Sequence, residues 1–338
     1  METDRSGCYD VVIVGAGPAG LFGAYYAGLR GLSVEIIDSL NQPGGQLMTL
    51  YPEKFIYDVA GFPAVLAKTL VGELVRQASQ YNPVFSMNEC VETLTPDQDG
   101  VLEVATDQRL HRARSVLICA GAGSFTPKKL PDVNCHEYEG RGVDYFVRDM
   151  AACRDKHILI VGGGDSAVDW ALNLLRVTKH ITLIHRLNTF RAHEDSVAKL
   201  FASPVTVRTF CELKQVHGDG KVEAATIVHN KTGESQQLDV DLILINIGFS
   251  TSLGPIQNWG LKLDKDGIVV NSRMETNIPG IYAAGDVTSF PGKLKLIATG
   301  FGEAATAVNH AKTFIDPASK SFPGHSSSVV PKQRKASL

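Results

Sequence analysis

The stretch VVIVGAGPAG, at residues 11–20, decides the fold of this chain. Its four apolar residues predict a buried strand, its three glycines predict a tight turn, and residues 21–29 then predict a helix. A second apolar run at 33–37 stops at Asp38, which completes a strand-helix-strand unit of about 30 residues. Such a unit is typical of a mononucleotide-binding half of a Rossmann fold.

The same order of elements returns in the middle of the chain. Residues 158–161 are apolar, and GGGDSA follows at 162–167. The next predicted elements are a helix at 168–175 and a strand at 181–184. In both copies the first glycine lies 23 positions before the polar residue that ends the second strand. We therefore predict an α/β protein with two Rossmann-like (three-layer ββα) dinucleotide-binding domains.

The glycines of the first copy indicate a phosphate-binding turn. The first and second glycines let the backbone turn tightly and approach a pyrophosphate, and the helix N-terminus offers free N–H groups. The third lets helix and strand pack closely. Asp38 can accept hydrogen bonds from both ribose hydroxyls, which suits the adenosine ribose of FAD. The candidate FAD residues of this unit are Gly15, Gly17, Pro18, Ala19, Gly20 and Asp38.

The second copy differs at the position where a ribose would bind. His185 and Arg186 stand in place of the carboxylate, and Arg191 follows five positions later. Guanidinium groups bind phosphate through paired hydrogen bonds, so this charge favours the 2′-phosphate of NADPH over NADH. The alternative is a group of solvated basic residues at a strand end. The candidate NADPH residues are Gly162, Gly164, Asp165, Ser166, His185, Arg186 and Arg191.

A third motif lies closer to the C-terminus. GIYAAGD, at residues 280–286, predicts a short strand that delivers Asp286 at its carboxyl end, and a helix is predicted from about Thr299 to Phe314. A carboxylate in this position can accept a hydrogen bond from the ribityl chain of a flavin. An ordinary turn aspartate is the alternative, which the other two motifs disfavour.

Two apolar strands mark where the chain would pass between the domains. Residues 116–121 close the first half, and residues 242–248 close the second in a similar style. The second domain would then be an insertion of about 120 residues, a usual size for one domain. The predicted division is an FAD-binding domain at 1–122 and 249–316, an NADPH-binding domain at 123–248, and a C-terminal tail at 317–338.

Composition disfavours several other classes of protein. The 338 residues carry a formal net charge of −3, so neither nucleic acid nor an anionic membrane is expected as a partner. There is no run of about 20 apolar residues and no signal-peptide pattern, so we expect a cytoplasmic protein without a membrane span. The six cysteines include no C-x-x-C pair, so neither a metal site nor a catalytic dithiol is expected.

Several motifs together resemble those of thioredoxin-reductase-like proteins over nearly the whole chain. They are GAGPAG at 15–20, GGQL at 44–47, LYPEK at 50–54, GFP at 61–63, GRGV at 140–143, HR at 185–186, FRA at 190–192 and GD at 285–286. Thioredoxin reductases carry a C-x-x-C after GRGV, but here residues 144–149 read DYFVRD. Together with GFGEA at 300–304 and PGHSS at 323–327, this absence resembles the ferredoxin–NADP⁺ reductases of the thioredoxin-reductase type.

The resemblance implies further site residues and a homodimer in which the tail of one subunit can cover the flavin of the other. Tyr51 and His325 would act by stacking, because the flavin carries the chemistry and no catalytic acid or base is required. Without the resemblance, Tyr51 would be interpreted as packing and His325 as a solvated residue. The implied FAD contacts, besides Asp38 and Asp286, are Gln46, Val91 and Phe125 beside the cofactor, Tyr51 and His325 on opposite flavin faces, and Ser327 near the ring.

The functional hypothesis is electron transfer between NADPH and ferredoxin or flavodoxin, by hydride transfer to flavin N5 and one-electron transfer to the carrier protein. Two alternatives stay open. One is an NADPH-dependent flavin or quinone reductase of the same fold. The other is a non-catalytic, redox-sensing flavoprotein, against which an intact NADP site argues.

Overall fold

The computed structural model describes residues 7–265 and 267–325. The chain divides into two compact units, the first formed by residues up to 124 and from 251 onward, the second by residues 125–250. The second unit is thus inserted between two parts of the first. Both crossings lie two residues after the positions at which the sequence predicted them.

Helices and strands alternate along the chain. The elements up to the first crossing are β1 (Cys8–Val14), α1 (Pro18–Leu29), β2 (Val34–Asp38), α2 (Gln46–Leu50), β3 (Phe55–Ile56), β4 (Val65–Leu66), α3 (Ala67–Ala78), β5 (Val84–Met87), β6 (Val91–Pro96), β7 (Leu102–Thr106), β8 (Leu110–Ile118) and β9 (Ser124–Pro127). The second unit continues with β10 (Val143–Asp144), β11 (Ile158–Val161), α4 (Asp165–Leu174), β12 (Ile181–His185), α5 (Glu194–Phe201), β13 (Thr206–Thr209), β14 (Cys211–His217), β15 (Ala224–His229), β16 (Ser235–Asp239) and β17 (Leu242–Ile245). The chain ends with β18 (Phe249–Ser252), β19 (Leu263–Asp264), β20 (Gly267–Val269), β21 (Ile281–Ala283), β22 (Thr288–Ser289) and α6 (Ile297–Ile315).

The first unit is built on a sheet with the strand order β5-β2-β1-β8-β7-β6, in which β21 also pairs with β8. Strand β1 is parallel to β2 and β8, and β21 is parallel to β8. Val14 therefore pairs with Ile37 on one side and Ile118 on the other. This register brings the loops that follow these strands to one edge of the sheet, where ligands bind in open α/β sheets.

Helices α1 and α6 pack against this sheet and against each other. Gly23 in α1 permits the close approach, because a Cβ there would lie 3.0 Å from Leu117 and 3.7 Å from Ala304. The core between them includes Ile13, Leu21 and Leu117, all almost completely buried.

The two helices that follow the glycine turns, α1 and α4, begin three residues earlier than the sequence predicted. Helix α1 begins at Pro18 instead of Leu21, and α4 begins at Asp165 instead of Val168. Proline suits the first helical position, because its fixed φ is helical and its missing N–H needs no partner there. Each helix therefore starts directly after its second glycine.

The second unit repeats the parallel arrangement with the order β10-β17-β11-β12-β13. Strand β11 is parallel to β12 and β17, and its core includes the fully buried Leu159, Leu183 and Ile243. A separate antiparallel sheet of β14, β15 and β16 belongs to the same unit.

The structure bears on three features: membrane-spanning helices, metal-binding groups and paired cysteines. Among the residues the structure covers, no helix is long and apolar enough to cross a membrane, and no group of metal-binding side chains is found. All six cysteines are free thiols, and five of them are buried.

A buried cluster of charges lies inside the first unit. His111 donates from Nδ1 to Glu35 at 3.0 Å and from Nε2 to Glu89 at 2.8 Å. Arg109 donates to Glu89 at 2.8 Å. Burial alone would lower the pKa of His111, but the hydrogen bonds that the two carboxylates accept, together with their negative charge, outweigh burial and raise this pKa. The raised pKa favours the imidazolium form of the ring, which can donate to both carboxylates.

We predict that this imidazolium stabilises the folded chain in a pH-dependent way. Replacing His111 by Gln leaves buried carboxylates short of one cation, so the free energy of unfolding should fall by about 3–5 kcal/mol at pH 6. A raised native pKa means that the contribution is complete below about pH 6.5 and is lost as the pH rises through the native value. Urea unfolding between about pH 6 and 9 measures the difference.

The exposed His136→Gln variant is the matched control for that experiment and should unfold like the wild type. A difference between His111→Gln and wild type that stays constant from pH 6 to 9 would contradict a protonated His111.

Candidate functional site

The first glycine turn is shaped by contacts within the protein at two of its three glycines. Gly15 has φ +109°, and a Cβ there would lie 2.4 Å from the carbonyl oxygen of Cys119. A Cβ on Gly20 would lie 1.9 Å from the carbonyl oxygen of Gly15. Both positions therefore require glycine for the fold itself.

Gly17, between these two, has no such requirement. Its φ of −70° suits any residue, and a Cβ there would meet no protein atom within 4 Å. Gly17 is the N-cap of α1 and carries no side-chain cap, so the first N–H groups of the helix stay available. The open space beside Gly17 and these N–H groups fit a bound pyrophosphate, which the backbone can approach closely only at glycine.

Asp38 is held beside this turn. Its Oδ2 accepts a hydrogen bond from the N–H of Ala16 at 2.6 Å, and its Oδ1 accepts one from the N–H of Leu40 at 2.8 Å. Burial raises the pKa of Asp38, and the two N–H donors partly oppose this rise. The carboxylate is thus fixed at the end of β2, where a ribose bound next to the pyrophosphate would meet it.

A second glycine loop lies on the first, and residue spacing alone did not predict its place in the site. Gly44 donates its N–H to the carbonyl of Ala16 at 2.8 Å. A Cβ on Gly45, which has φ +55°, would lie 3.2 Å from the Cα of Gly17. The sequence signal was the pair of adjacent glycines before Gln46, which opens α2.

Gln46 reaches across to the loop that follows β8. Its Nε2 lies 3.1 Å from where a Cβ on Gly121 would be, and Gly121 has φ +61°. The sheet register brings these two loops to the same edge as Asp38, so Gln46 can contact a ligand laid along that edge.

The turn around Gly285 meets the start of α1 and the start of α6. A Cβ on Gly285 would lie 3.1 Å from the Cβ of Ala19, and one on Gly300 would lie 3.4 Å from the Cα of Gly285. This three-way approach brings Asp286 next to the first turn of α1. The sequence predicted that Asp286 follows a strand, but only the fold brings the Gly285 turn to the first turn of α1.

Tyr51 and Asp286 lie in one electrostatic environment. The pKa of Tyr51 is raised by burial, then by Asp286 and Asp58, so its phenol stays protonated at neutral pH. Burial also raises the pKa of Asp286, while Lys293 and Lys295 lower it. The structure thus groups a half-buried aromatic ring with a partly buried carboxylate.

The remaining FAD candidates have less definite surroundings. Val91 is buried at the start of β6. Phe125 belongs to the second unit, where its ring centroid lies 6.0 Å from that of Phe249. His325 is exposed and its ring lies 5.8 Å from that of Phe322, so its covering role stays a prediction. Ser327 lies outside the described residues.

The second unit repeats the distinction between glycines. Gly162 has φ +153°, and a Cβ there would lie 2.2 Å from the carbonyl oxygen of Asn246 and 3.1 Å from Ala167. Gly164, the N-cap of α4, has ordinary extended backbone and open space where a Cβ would be. Ala167 takes the place of the third glycine and is fully buried. The second turn therefore also fits a pyrophosphate.

Asp165 and Ser166 form the first turn of α4 and are both exposed. Asp165 accepts a hydrogen bond from the N–H of His193 at 3.1 Å, which ties the helix start to the segment after Arg191. The exposed Ser166 can meet a ligand at the helix N-terminus.

His185 packs on the second glycine turn. A Cβ on Gly163 would lie 2.3 to 2.5 Å from the imidazole atoms, so the missing side chain makes room for the ring. Its Nε2 donates to the carbonyl of Thr189 at 3.1 Å. Burial and the nearby Arg186 and Arg191 lower the pKa of His185, so the ring is neutral at pH 7.

The positive charge at this strand end therefore resides on the two arginines, which are both exposed. The N–H of Arg191 donates to the carbonyl of Gly163 at 2.7 Å. This bond fixes the backbone of Arg191 beside the glycine turn, although 28 residues separate it from Gly163 in the sequence.

Comparisons with known proteins find relatives over most of the chain. The family described as pyridine nucleotide-disulphide oxidoreductase matches residues 9–311. A protein of Halalkalibacterium halodurans named ferredoxin–NADP reductase is 53% identical over 322 residues, covering 95% of this chain and 98% of that protein. A protein of Thermus thermophilus with the same name is 53% identical over 323 residues, covering 94% and 96%. The crystal structure of Lactococcus lactis thioredoxin reductase is 28% identical, with a TM-score of 0.75, and covers 91% of this chain and 99% of that one.

We predict that replacing the middle glycine of the first turn weakens ligand binding, whereas replacing the third glycine destabilises the fold. Gly17→Ala should change the free energy of unfolding of the FAD-free protein by less than about 1 kcal/mol, because the added methyl meets no protein atom. It should weaken FAD binding at least 10-fold, since the methyl enters the phosphate space. Gly20→Ala should destabilise the fold itself. Urea unfolding and fluorescence titration with FAD separate the two effects.

Gly164→Ala is the matched variant in the second unit, and it should weaken NADPH binding while FAD stays bound. A Gly17→Ala protein that binds FAD as tightly as the wild type would show that the open space beside Gly17 is not the phosphate site.

Proposed function

This chain belongs to the pyridine nucleotide-disulphide oxidoreductase family, and from that premise we propose that it is a ferredoxin–NADP reductase that transfers electrons between NADPH and ferredoxin or flavodoxin. The observation that carries the proposal is the pair of middle glycines, Gly17 and Gly164, which the fold itself does not require. Glycine at each position is explained by a bound dinucleotide instead, so a single chain would hold both an electron donor and a redox cofactor.

We propose FAD as the flavin in the first unit. A turn that can hold a pyrophosphate, followed by the fixed carboxylate of Asp38, suits the adenosine half of FAD. FMN has no adenosine half. The proposed contacts are Gly15, Gly17, Pro18, Ala19, Gly20, Asp38, Gln46, Tyr51, Val91, Phe125, Asp286 and Ser327.

NADPH is the proposed ligand of the second unit. The exposed Arg186 and Arg191 support recognition of a 2′-phosphate, because His185 is neutral and no carboxylate ends β12. The N-terminus of α4, at Gly164 and Ser166, has no side-chain cap, which supports binding of the NADPH pyrophosphate there.

The chemistry that FAD supplies when bound is acceptance of a hydride from NADPH and release of single electrons to a carrier protein. The protein's own part is positioning. The N-terminus of α1 neutralises phosphate charge, Asp286 accepts a hydrogen bond on the ribityl side, and the protonated Tyr51 offers a flat aromatic face. None of these roles requires a catalytic acid or base.

The absence of a redox dithiol supports a carrier protein as the acceptor. Residues 144–149 contain no cysteine, and the six cysteines of the chain include no C-x-x-C pair. Electrons would therefore have to leave from the flavin itself. A small quinone or a free flavin is the alternative acceptor, and a redox sensor without turnover is the second alternative.

We also propose that the chain forms a homodimer, in line with the family resemblance. Light scattering of the purified protein should give twice the mass of the chain, and a mass equal to one chain would contradict this.

We predict NADPH oxidation that depends on ferredoxin. The purified FAD-loaded protein should reduce ferredoxin with NADPH, and its kcat/KM for ferredoxin should exceed that for a benzoquinone or free FMN at least 10-fold. A cytochrome c-coupled assay measures ferredoxin reduction, with protein lacking FAD as the control. Faster turnover with the small acceptors would favour the quinone or flavin reductase, and no turnover with any acceptor would favour the sensor.

We further predict that Arg186→Ala combined with Arg191→Ala lowers kcat/KM for NADPH at least 10-fold and leaves that for NADH nearly unchanged. The reason is that a charge-assisted contact to phosphate contributes about 1.5–3 kcal/mol. Lys214→Ala, an exposed basic residue on the antiparallel sheet of the same unit, is the control. Equal losses with both nucleotides would contradict recognition of the 2′-phosphate by these arginines.

A further inference from the structure

A buried ion pair lies beneath the Gly285 turn, among residues that the sequence motifs did not assign to the site. The ammonium of Lys293 lies 2.5 Å and 2.6 Å from the two carboxylate oxygens of Glu303. The side chains are only 7% and 9% exposed. Glu303 stands on α6, and Lys293 stands on the segment between β22 and that helix.

Such a pair needs an explanation. The loss of hydration on burying two charges offsets much of their attraction, and well-packed apolar side chains often stabilise a fold equally well. Specific placement of a neighbouring group is a role that apolar side chains could not fill.

The neighbouring group is the backbone of the Gly285 turn. Glu303 Oε2 accepts the N–H of Gly285 at 2.8 Å. Thr288 donates its hydroxyl to the carbonyl of Gly285 at 2.8 Å and lies 3.3 Å from the same carboxylate oxygen. Both polar backbone groups of Gly285 are thereby fixed, directly before Asp286.

We propose that Glu303 and Lys293 are positioning residues for the flavin side of the cofactor site. Glu303 holds the turn that presents Asp286, and Lys293 balances the charge of Glu303 next to the flavin. This inference rests on the proposed function, because it requires FAD at Asp286.

The two charges act on Asp286 in opposite directions. Burial is the largest influence on the pKa of Asp286 and raises it, while Lys293 lowers this pKa and Glu303 raises it. Lys295 also lowers this pKa, so Glu303 opposes two lysines at the turn. Removing either one leaves a single buried charge, whose effect is strong because few water molecules screen it.

The experiment compares Glu303→Gln, Lys293→Met and the double variant in the full-length, FAD-loaded protein. Gln keeps an oxygen for the N–H of Gly285, and Met keeps the length of the lysine stem. The readouts are the midpoint potential of the bound flavin, the dissociation constant of FAD, and hydrogen exchange of residues 283–290 with and without FAD.

The expected result is a shift of potential in opposite directions. Glu303→Gln leaves an unpaired cation, which favours the more negative reduced flavin and raises the potential. Lys293→Met leaves an unpaired anion and lowers it. Each single variant should bind FAD at least 10-fold more weakly and exchange faster at 283–290, and the double variant should return the potential close to that of wild type.

The control pair is Lys312 and Asp316, 3.6 Å apart at the other end of α6. Lys312→Met and Asp316→Asn should change none of the three readouts. Shifts of potential in the same direction for both site variants, or no shift in either, would overturn the proposal. A wild-type protein that binds no FAD would instead overturn the proposed function, and the exchange at 283–290 without FAD would still test whether Glu303 holds the turn.

Discussion

The contact between Gly20 and the carbonyl oxygen of Gly15 is the constraint on which the site depends. A side chain at Gly20 would come within 1.9 Å of that oxygen, so α1 can start this close to β1 only without one. The close start points the helix N-terminus at the loop and leaves open space beside Gly17. In the same turn, the N–H of Ala16 donates to Asp38 at 2.6 Å, which fixes this carboxylate beside the open space.

In the two units, different residues allow the helix after the glycine turn to pack closely on the strand before it. In the second unit Ala167 replaces the third glycine. Its Cβ fits there because Gly162, which it approaches, has no side chain. The end of the second strand differs more, because a neutral His185 covers Gly163 and the backbone N–H of Arg191 donates to the carbonyl of the same glycine. A repeated backbone geometry therefore carries opposite charge at equivalent positions, as the proposed binding of FAD in one unit and NADPH in the other requires.

Two groups of buried charges in the first unit lie next to backbone of the candidate site. The N–H of Glu89 donates to the carbonyl of Asp38 at 3.0 Å, so the Glu35, Glu89 and His111 cluster lies next to Asp38. The Lys293 and Glu303 pair lies behind the Gly285 turn in the same manner. Apolar packing in place of Glu303 would not supply an acceptor for the buried N–H of Gly285.

Sequence alone determined the fold class, the two glycine turns and the strand-end residues Asp38, His185 and Arg186, because short-range spacing fixes which residue follows which strand. It also carried the family resemblance. Tertiary structure alone decided which glycines the protein needs for itself, since that depends on backbone about 100 residues away, as with Gly15 and Cys119. It likewise decided that His185 is neutral and that Glu303 supports Gly285. Those properties arise from burial and from hydrogen bonds between distant segments, which a linear pattern does not encode.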